Sequence, residues 1–137
     1  MANLKPVFAT ETTLLSTELD SLAGGSSVAS AEQNNGSDRF LDAQIDVELA
    51  SASADTGYCS VYLLEGSATG KLSTTANVST MRYLMDVQMN GTTAVRKSKR
   101  VQDLPKFWKV HIIKNAAPAL AASGNTVKVT GINLENV

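Results

Sequence analysis

Short runs of alternating apolar and polar residues, set between glycine and asparagine turn signals, recur along this chain. The clearest spans Phe40 to Ala50. Leu41, Ala43, Ile45, Val47 and Leu49 share one parity, and Asp42, Gln44, Asp46 and Glu48 the other. Period two over this length predicts a strand with one face in the core and one in water. A helix would scatter the acids around its circumference. From Tyr58 to Leu64, Cys59, Val61 and Leu63 alternate with Tyr58, Ser60, Tyr62 and Leu64. Both parities are partly apolar, as suits an inner strand. Met81, Tyr83, Met85, Val87 and Met89 form another apolar face, with Arg82, Asp86 and Gln88 opposite. Phe107–Lys114 carries Trp108, Val110 and Ile112 on one side, and Val127 and Val129 mark a last strand. Ile45, Val47, Val61, Val87 and Val110 are expected inside.

Leu14–Leu22 fits two patterns. Leu15, Leu19 and Leu22 have helical spacing, while Leu15, Thr17 and Leu19 alternate. Its serine and threonine content favours strand. Asn90-Gly91 invites a two-residue hairpin turn, but that register sets Met85 opposite Arg96. A longer turn, Asn90-Gly91-Thr92, pairs Val87 with Val95 and Met81 with Val101, and register follows the apolar pattern. Lys71–Thr80 is polar and reads as a long loop. With Ser26–Gln33, Thr93–Val101 and Thr126–Thr130 added, there are about eight candidate strands, the count of a jelly roll. The expected fold is all-β, a jelly-roll-like antiparallel β-sandwich. It forms a single domain over 1–137, with an extended arm at 1–11 and a tail at 131–137.

A chain of 137 residues can bury one core without staples, and its 43% apolar content is ordinary for a folded protein. The formal charge of -1 points to neither nucleic acid nor anionic lipid. One cysteine allows no internal disulfide. No signal-peptide run or membrane-length apolar stretch is present, so folding in a cytoplasm and no membrane role are expected.

No chemistry-bearing motif stands out. His111, the one histidine, lies between Val110 and Ile112 and reads as a strand-face residue. No Gly-x-Ser-x-Gly elbow surrounds any serine. Cys59 shares a face with Val61 and Leu63, where free cysteine behaves as a small apolar group. Asp42, Asp46 and Glu48 resemble a solvated strand face more than a cation site, which would add loop carbonyls. No catalytic residue, cofactor or metal is therefore expected, and the chain is not expected to be an enzyme. Two features are candidate interfaces. Arg96-Lys97-Ser98-Lys99-Arg100 is either an edge strand guarded by charge or a grip for an acidic surface. Phe107 and Trp108, after Leu104-Pro105-Lys106, are either core or partner anchors.

The order of several segments resembles small β-sandwich virion proteins of tailed bacteriophages. The segments are Leu15–Ala23, Leu41–Leu49, Thr56–Leu63, Leu104–Val110, and Asn115 followed by Ala119–Lys128. The chain departs from that pattern at Ala116-Ala117-Pro118 and in the short segment after Tyr62. The resemblance brings no catalytic residues. It implies a capsid decoration or cement protein on the capsid exterior, assembled in the host cytoplasm. The implied partners are the major capsid protein and further copies of the chain, as a trimer or dimer, with no direct nucleic-acid role. The alternative is a virion-surface carbohydrate-binding module, or a head-fibre or tail-associated adhesion module, with Tyr58, Tyr62 and Trp108 stacking on sugars.

Overall fold

The computed structural model describes residues 3–73 and 78–136. Strand pairing sorts the chain into two five-stranded sheets, antiparallel throughout. One sheet, A, holds β1 (Leu4–Phe8), β2 (Thr12–Leu15), β5 (Asp42–Leu49), β8 (Val95–Val101) and β10 (Thr126–Asn136). The other, B, holds β3 (Ser27–Ala29), β4 (Gln33–Asn34), β6 (Tyr58–Gly66), β7 (Arg82–Gln88) and β9 (Phe107–Lys114). In sheet A the order is β1-β10-β5-β8, with β2 also on β10. In sheet B it is β3-β9-β6-β7, with β4 also on β9. Each sheet thus has one edge strand broken in two. With β1 and β2 counted together, and β3 and β4 likewise, the first strand lies beside the last and the path is that of an eight-stranded jelly roll.

The alternation read from the sequence places the core. Ala43, Ile45, Val47 and Leu49 of β5 face Cys59, Val61, Leu63, Val87, Val110 and Ile112 across the sandwich, all buried. Leu41 falls outside this set. The strand begins at Asp42, and Leu41 is exposed.

Four other expectations change. Leu14–Leu22 is neither one strand nor a helix. β2 stops at Leu15, and turns closed by Leu19 N–H to Ser16 O (3.0 Å) and Leu22 N–H to Leu19 O (3.1 Å) carry Leu19 into the core. Tyr83 leaves the apolar face because a bulge inserts Leu84: Val61 pairs with Met85, but Tyr62 pairs with Tyr83. Leu84 and Met85 both turn inward, and Tyr83 turns to solvent. β7 and β8 do not form a hairpin ladder. A four-residue turn from Asn90 to Thr93, with Gly91 at φ +55°, sends the chain from sheet B to sheet A. Val87 and Val101 therefore both reach the core from opposite sheets rather than along one ladder. Finally, residues of the expected arm and tail pair with each other, Leu4–Phe8 against Ile132–Asn136. Part of the Lys71–Thr80 loop lies outside the described residues; its end, Val78–Thr80, is a 3-10 turn.

β1 and the end of β10 make a two-stranded ribbon. Gly131 lets it lie close to the sandwich, since a Cβ there would sit 2.4 Å from the Phe40 ring. Ala9 N–H donates to Gly131 O at 2.9 Å, so Leu4, Pro6 and Phe8 turn their backbone groups to the free edge. Pro6 offers no donor there, which blunts the edge against further pairing.

Candidate functional site

The basic run forms β8, an edge strand of sheet A. Arg96 and Arg100 point outward and meet the acids of β5. Arg100 reaches Asp42 at 2.8 Å and Arg96 reaches Glu48 at 3.0 Å, while Ser98 donates to Asp46. The Arg100 hydrogen bond holds the Asp42 carboxyl below its usual range. Exposed pairs of this kind add little stability. They do, however, neutralise both arginines and engage the three acids considered for a cation. Lys97 and Lys99 lie on the core-facing parity yet stay exposed at the edge, and Lys97 Nζ donates to Asp86 O at 2.7 Å. Inward-pointing lysines on an edge strand discourage sheet-to-sheet pairing.

Phe107 and Trp108 are not exposed anchors. They are 7% and 4% exposed, and Trp108 belongs to the main core. β9 is flanked by strands on both sides, and the short helix α1 (Asn35–Asp38) packs against it. Residues of both parities are buried, Phe107 and His111 on one and Trp108, Val110 and Ile112 on the other. Among the described residues no group of three or more His, Cys, Asp or Glu is gathered as for a metal ion.

The sequence reading missed the most deeply buried charge. Lys114 has the parity of Trp108, Val110 and Ile112 and is 0% exposed. Its ammonium lies 3.0 Å from Asp55 Oδ2 and donates to Ala116 O at 2.7 Å. Asp55 also accepts from Ser51 Oγ at 2.6 Å and from Gly57 N–H at 2.7 Å. Burial pushes the Asp55 carboxyl up, but the bonds from Ser51, Gly57 and Lys114 outweigh it and hold it below the ordinary value. The signal was present in the sequence: a lysine at an inward position of a buried strand needs a carboxylate partner. Cys59 pairs with Lys114 across β6 and β9, and burial pushes its thiol up to about 11. A neutral, enclosed thiol is no nucleophile.

His111 is on the outward parity of sheet B yet only 2% exposed, and among the described residues neither ring nitrogen has a hydrogen-bond partner. Burial pushes its pKa down. Between this lowered value and the unfolded value of about 6.5, the unfolded chain holds the extra proton, so stability falls as pH drops through that window. Below the folded pKa the loss is complete. His111→Leu is expected to flatten this part of the stability–pH curve and, losing no hydrogen bond, to match or exceed wild type near pH 5. Urea denaturation of both proteins between about pH 7.5 and 5 checks this. Parallel curves would show that His111 is not held neutral.

Two outer surfaces remain. On the ribbon, Leu4, Pro6 and Phe8 share a face with Leu134 and Ile132, while Lys5 and Glu135 pair on the other face at 3.7 Å. Leu4, Phe8, Leu134 and nearby Leu41 are exposed, and a cleft of about 160 Å³ runs between Leu41, Asp42, Arg100, Ile132 and Leu134. On sheet B, Tyr58, Ser60 and Tyr62 of β6 face outward beside Gln88, Asp86 and Tyr83 of β7. Tyr62 and Tyr83 meet edge to face, centroids 5.8 Å apart at 70°. Ser60 Oγ donates to Asp86 Oδ1 at 2.7 Å.

No family model matches the chain, and no curated protein matches its sequence. Among solved structures it is similar to the C-terminal CBM6 of LamC, a marine laminarinase from Zobellia galactanivorans. That likeness has 12% identity over 94% of this chain and 99% of the other, with a TM-score of 0.45. A Desmodium yellow mottle tymovirus chain gives 13% identity over 99% and 88%, with a TM-score of 0.43. A Bacillus endospore appendage chain, from a family of disulfide-linked pili, gives 11% identity over 100% and 91%, with a TM-score of 0.33. These likenesses are distant, and the jelly-roll assignment rests on the strand order itself.

Proposed function

We propose that this chain is a structural protein of a phage virion that attaches to the outside of the shell as a decoration or cement protein. It acts by binding rather than by catalysis. The observation that carries this reading is the apolar patch of Leu4, Phe8, Leu41 and Leu134 at one end of the sandwich. Contiguous exposed apolar groups beside a cleft mark a contact surface. With Pro6 on one sheet edge and lysines on another, contact is made by this face rather than by strand addition. The partner is the major capsid protein. A protein seated across a seam binds the intact shell and not its separated subunits, so it stabilises the shell by mass action. Several copies acting together, as in a trimer or dimer, turn a weak contact into a firm one.

The test compares particles assembled with wild-type protein, with no protein, and with the double variant Phe8→Asp/Leu134→Asp. Both substituted side chains are exposed, so the variant is expected to keep the wild-type unfolding midpoint. It is expected to leave shells undecorated and as fragile to heating as shells without the protein. A folded variant that decorates normally, or bare shells as heat-resistant as decorated ones, would overturn the proposal.

A further inference from the structure

We propose that the outer face of sheet B binds a neutral oligosaccharide, laid along β6 from Tyr58 to the Tyr62–Tyr83 pair. Tyr58 and Tyr83 are 40% and 55% exposed. Tyr62 lies four strand positions beyond Tyr58, roughly 13 Å of extended chain. Both ends of that span carry an aromatic ring, and its middle rung carries Ser60 and Asp86. The edge-to-face contact between Tyr62 and Tyr83 fixes their rings relative to each other, so little freedom is lost when a ligand settles on them.

The chemistry of the face selects the ligand. A pyranose has an apolar C–H face, which suits an aromatic ring, and a rim of hydroxyls that need acceptors. Asp86 accepts from Ser60 through Oδ1 and also faces the Tyr83 hydroxyl, so its carboxylate lies where a sugar hydroxyl on the Tyr62–Tyr83 pair would find an acceptor. Charge-assisted bonds of that kind are the stronger ones. On the rungs from Tyr58 to Tyr62 the outward partners are Gln88, Asp86, Ile113, Tyr83 and His111, with no lysine or arginine among them. A nucleic-acid strand would also stack on tyrosine, but it needs a cationic groove, and Asp86 would repel its phosphates. The same carboxylate disfavours acidic glycans. Exposed aliphatic anchors of the kind a protein partner uses lie on the ribbon instead.

The experiment titrates the full chain with maltohexaose, cellohexaose, laminarihexaose and chitohexaose, read by backbone amide shifts in NMR. At least one hexasaccharide is expected to shift amides of β6 and β7. Tyr83→Ala and, independently, Tyr58→Ala are expected to weaken that binding by about tenfold, a loss of about 1.4 kcal/mol. Tyr83→Phe, which keeps the ring, should retain most of it. Each variant is first checked for an unchanged unfolding midpoint. The proposal is overturned if no hexasaccharide shifts these amides, if binding survives both alanine variants, or if oligo(dT) binds there more tightly. It is also overturned if Tyr83→Ala strips the protein from shells while every sugar titration is silent, for the face would then be a protein contact. The ribbon variant Phe8→Asp/Leu134→Asp should bind sugar normally, so the two surfaces are tested apart.

Discussion

Asp55→Ala is expected to destabilise the fold by about 3–5 kcal/mol, because it leaves the Lys114 ammonium buried without a counter-charge. Lys114 has no route to solvent at 0% exposure, and Ala116 O is its other acceptor among the described residues. Ser51 Oγ and Gly57 N–H would lose their acceptor in the same step. Replacing both charges, as Asp55→Leu/Lys114→Met, should recover much of the loss, since an apolar pair of similar volume often matches a buried ion pair. Urea denaturation of wild type, single and double variants measures both effects. A single variant within about 1 kcal/mol of wild type would place the pair in a solvated setting. The pair also has a pH signature. The folded carboxyl titrates below its ordinary value, so the unfolded chain binds its proton first. The contribution of Asp55 is fully present above about 3.9 and is lost as pH falls through the folded pKa below that.

Trp108→Ala is expected to cost about 3–5 kcal/mol through the cavity left in the core. Trp108 packs in the same cluster as Ile45, Leu63 and Val110. A partner anchor would behave in the opposite way, with stability kept and attachment lost. Thermal unfolding followed by near-ultraviolet circular dichroism distinguishes the two. A variant as stable as wild type that no longer decorates shells would restore the anchor reading.

Much of this architecture is legible in the residues. β5 follows from strict alternation, because one buried face imposes period two and a one-residue slip would expose every apolar group. β9 matches Phe107–Lys114 at both ends. What escapes the pattern is whatever depends on distant partners. Tyr83 shares its parity with Met81 and Met85, and only the bulge opposite Val61 and Tyr62 turns it outward. Apolar alternation on β7 and β8 reads equally well as a hairpin or as two strands in facing sheets, since in both cases Val87 and Val101 are buried. β1, with Lys5 and Pro6, carries no core residue at all, and its strand exists because the end of β10 is there to pair with it. The candidate surfaces were legible only in part. The basic strand and Tyr58 and Tyr62 were visible. The ribbon patch and the placing of Tyr83 beside Asp86 needed the register.

The position of β10 sets the order in which the molecule can be completed during synthesis. Among the described residues every strand of sheet B lies between Ser27 and Lys114, so that sheet has all its partners before Thr126–Asn136 emerges. Sheet A does not. β10 lies between β5 and the β1/β2 edge, and among the described residues β1 and β2 pair with no other strand. A nascent chain halted before Thr126 therefore holds Leu15, Ile45 and Val47 beside an empty slot. Such non-local closure is slow, and it exposes unpaired edges while it waits. In the nascent chain the vulnerable region is the open side of β5, which Thr126–Asn136 protects once it arrives.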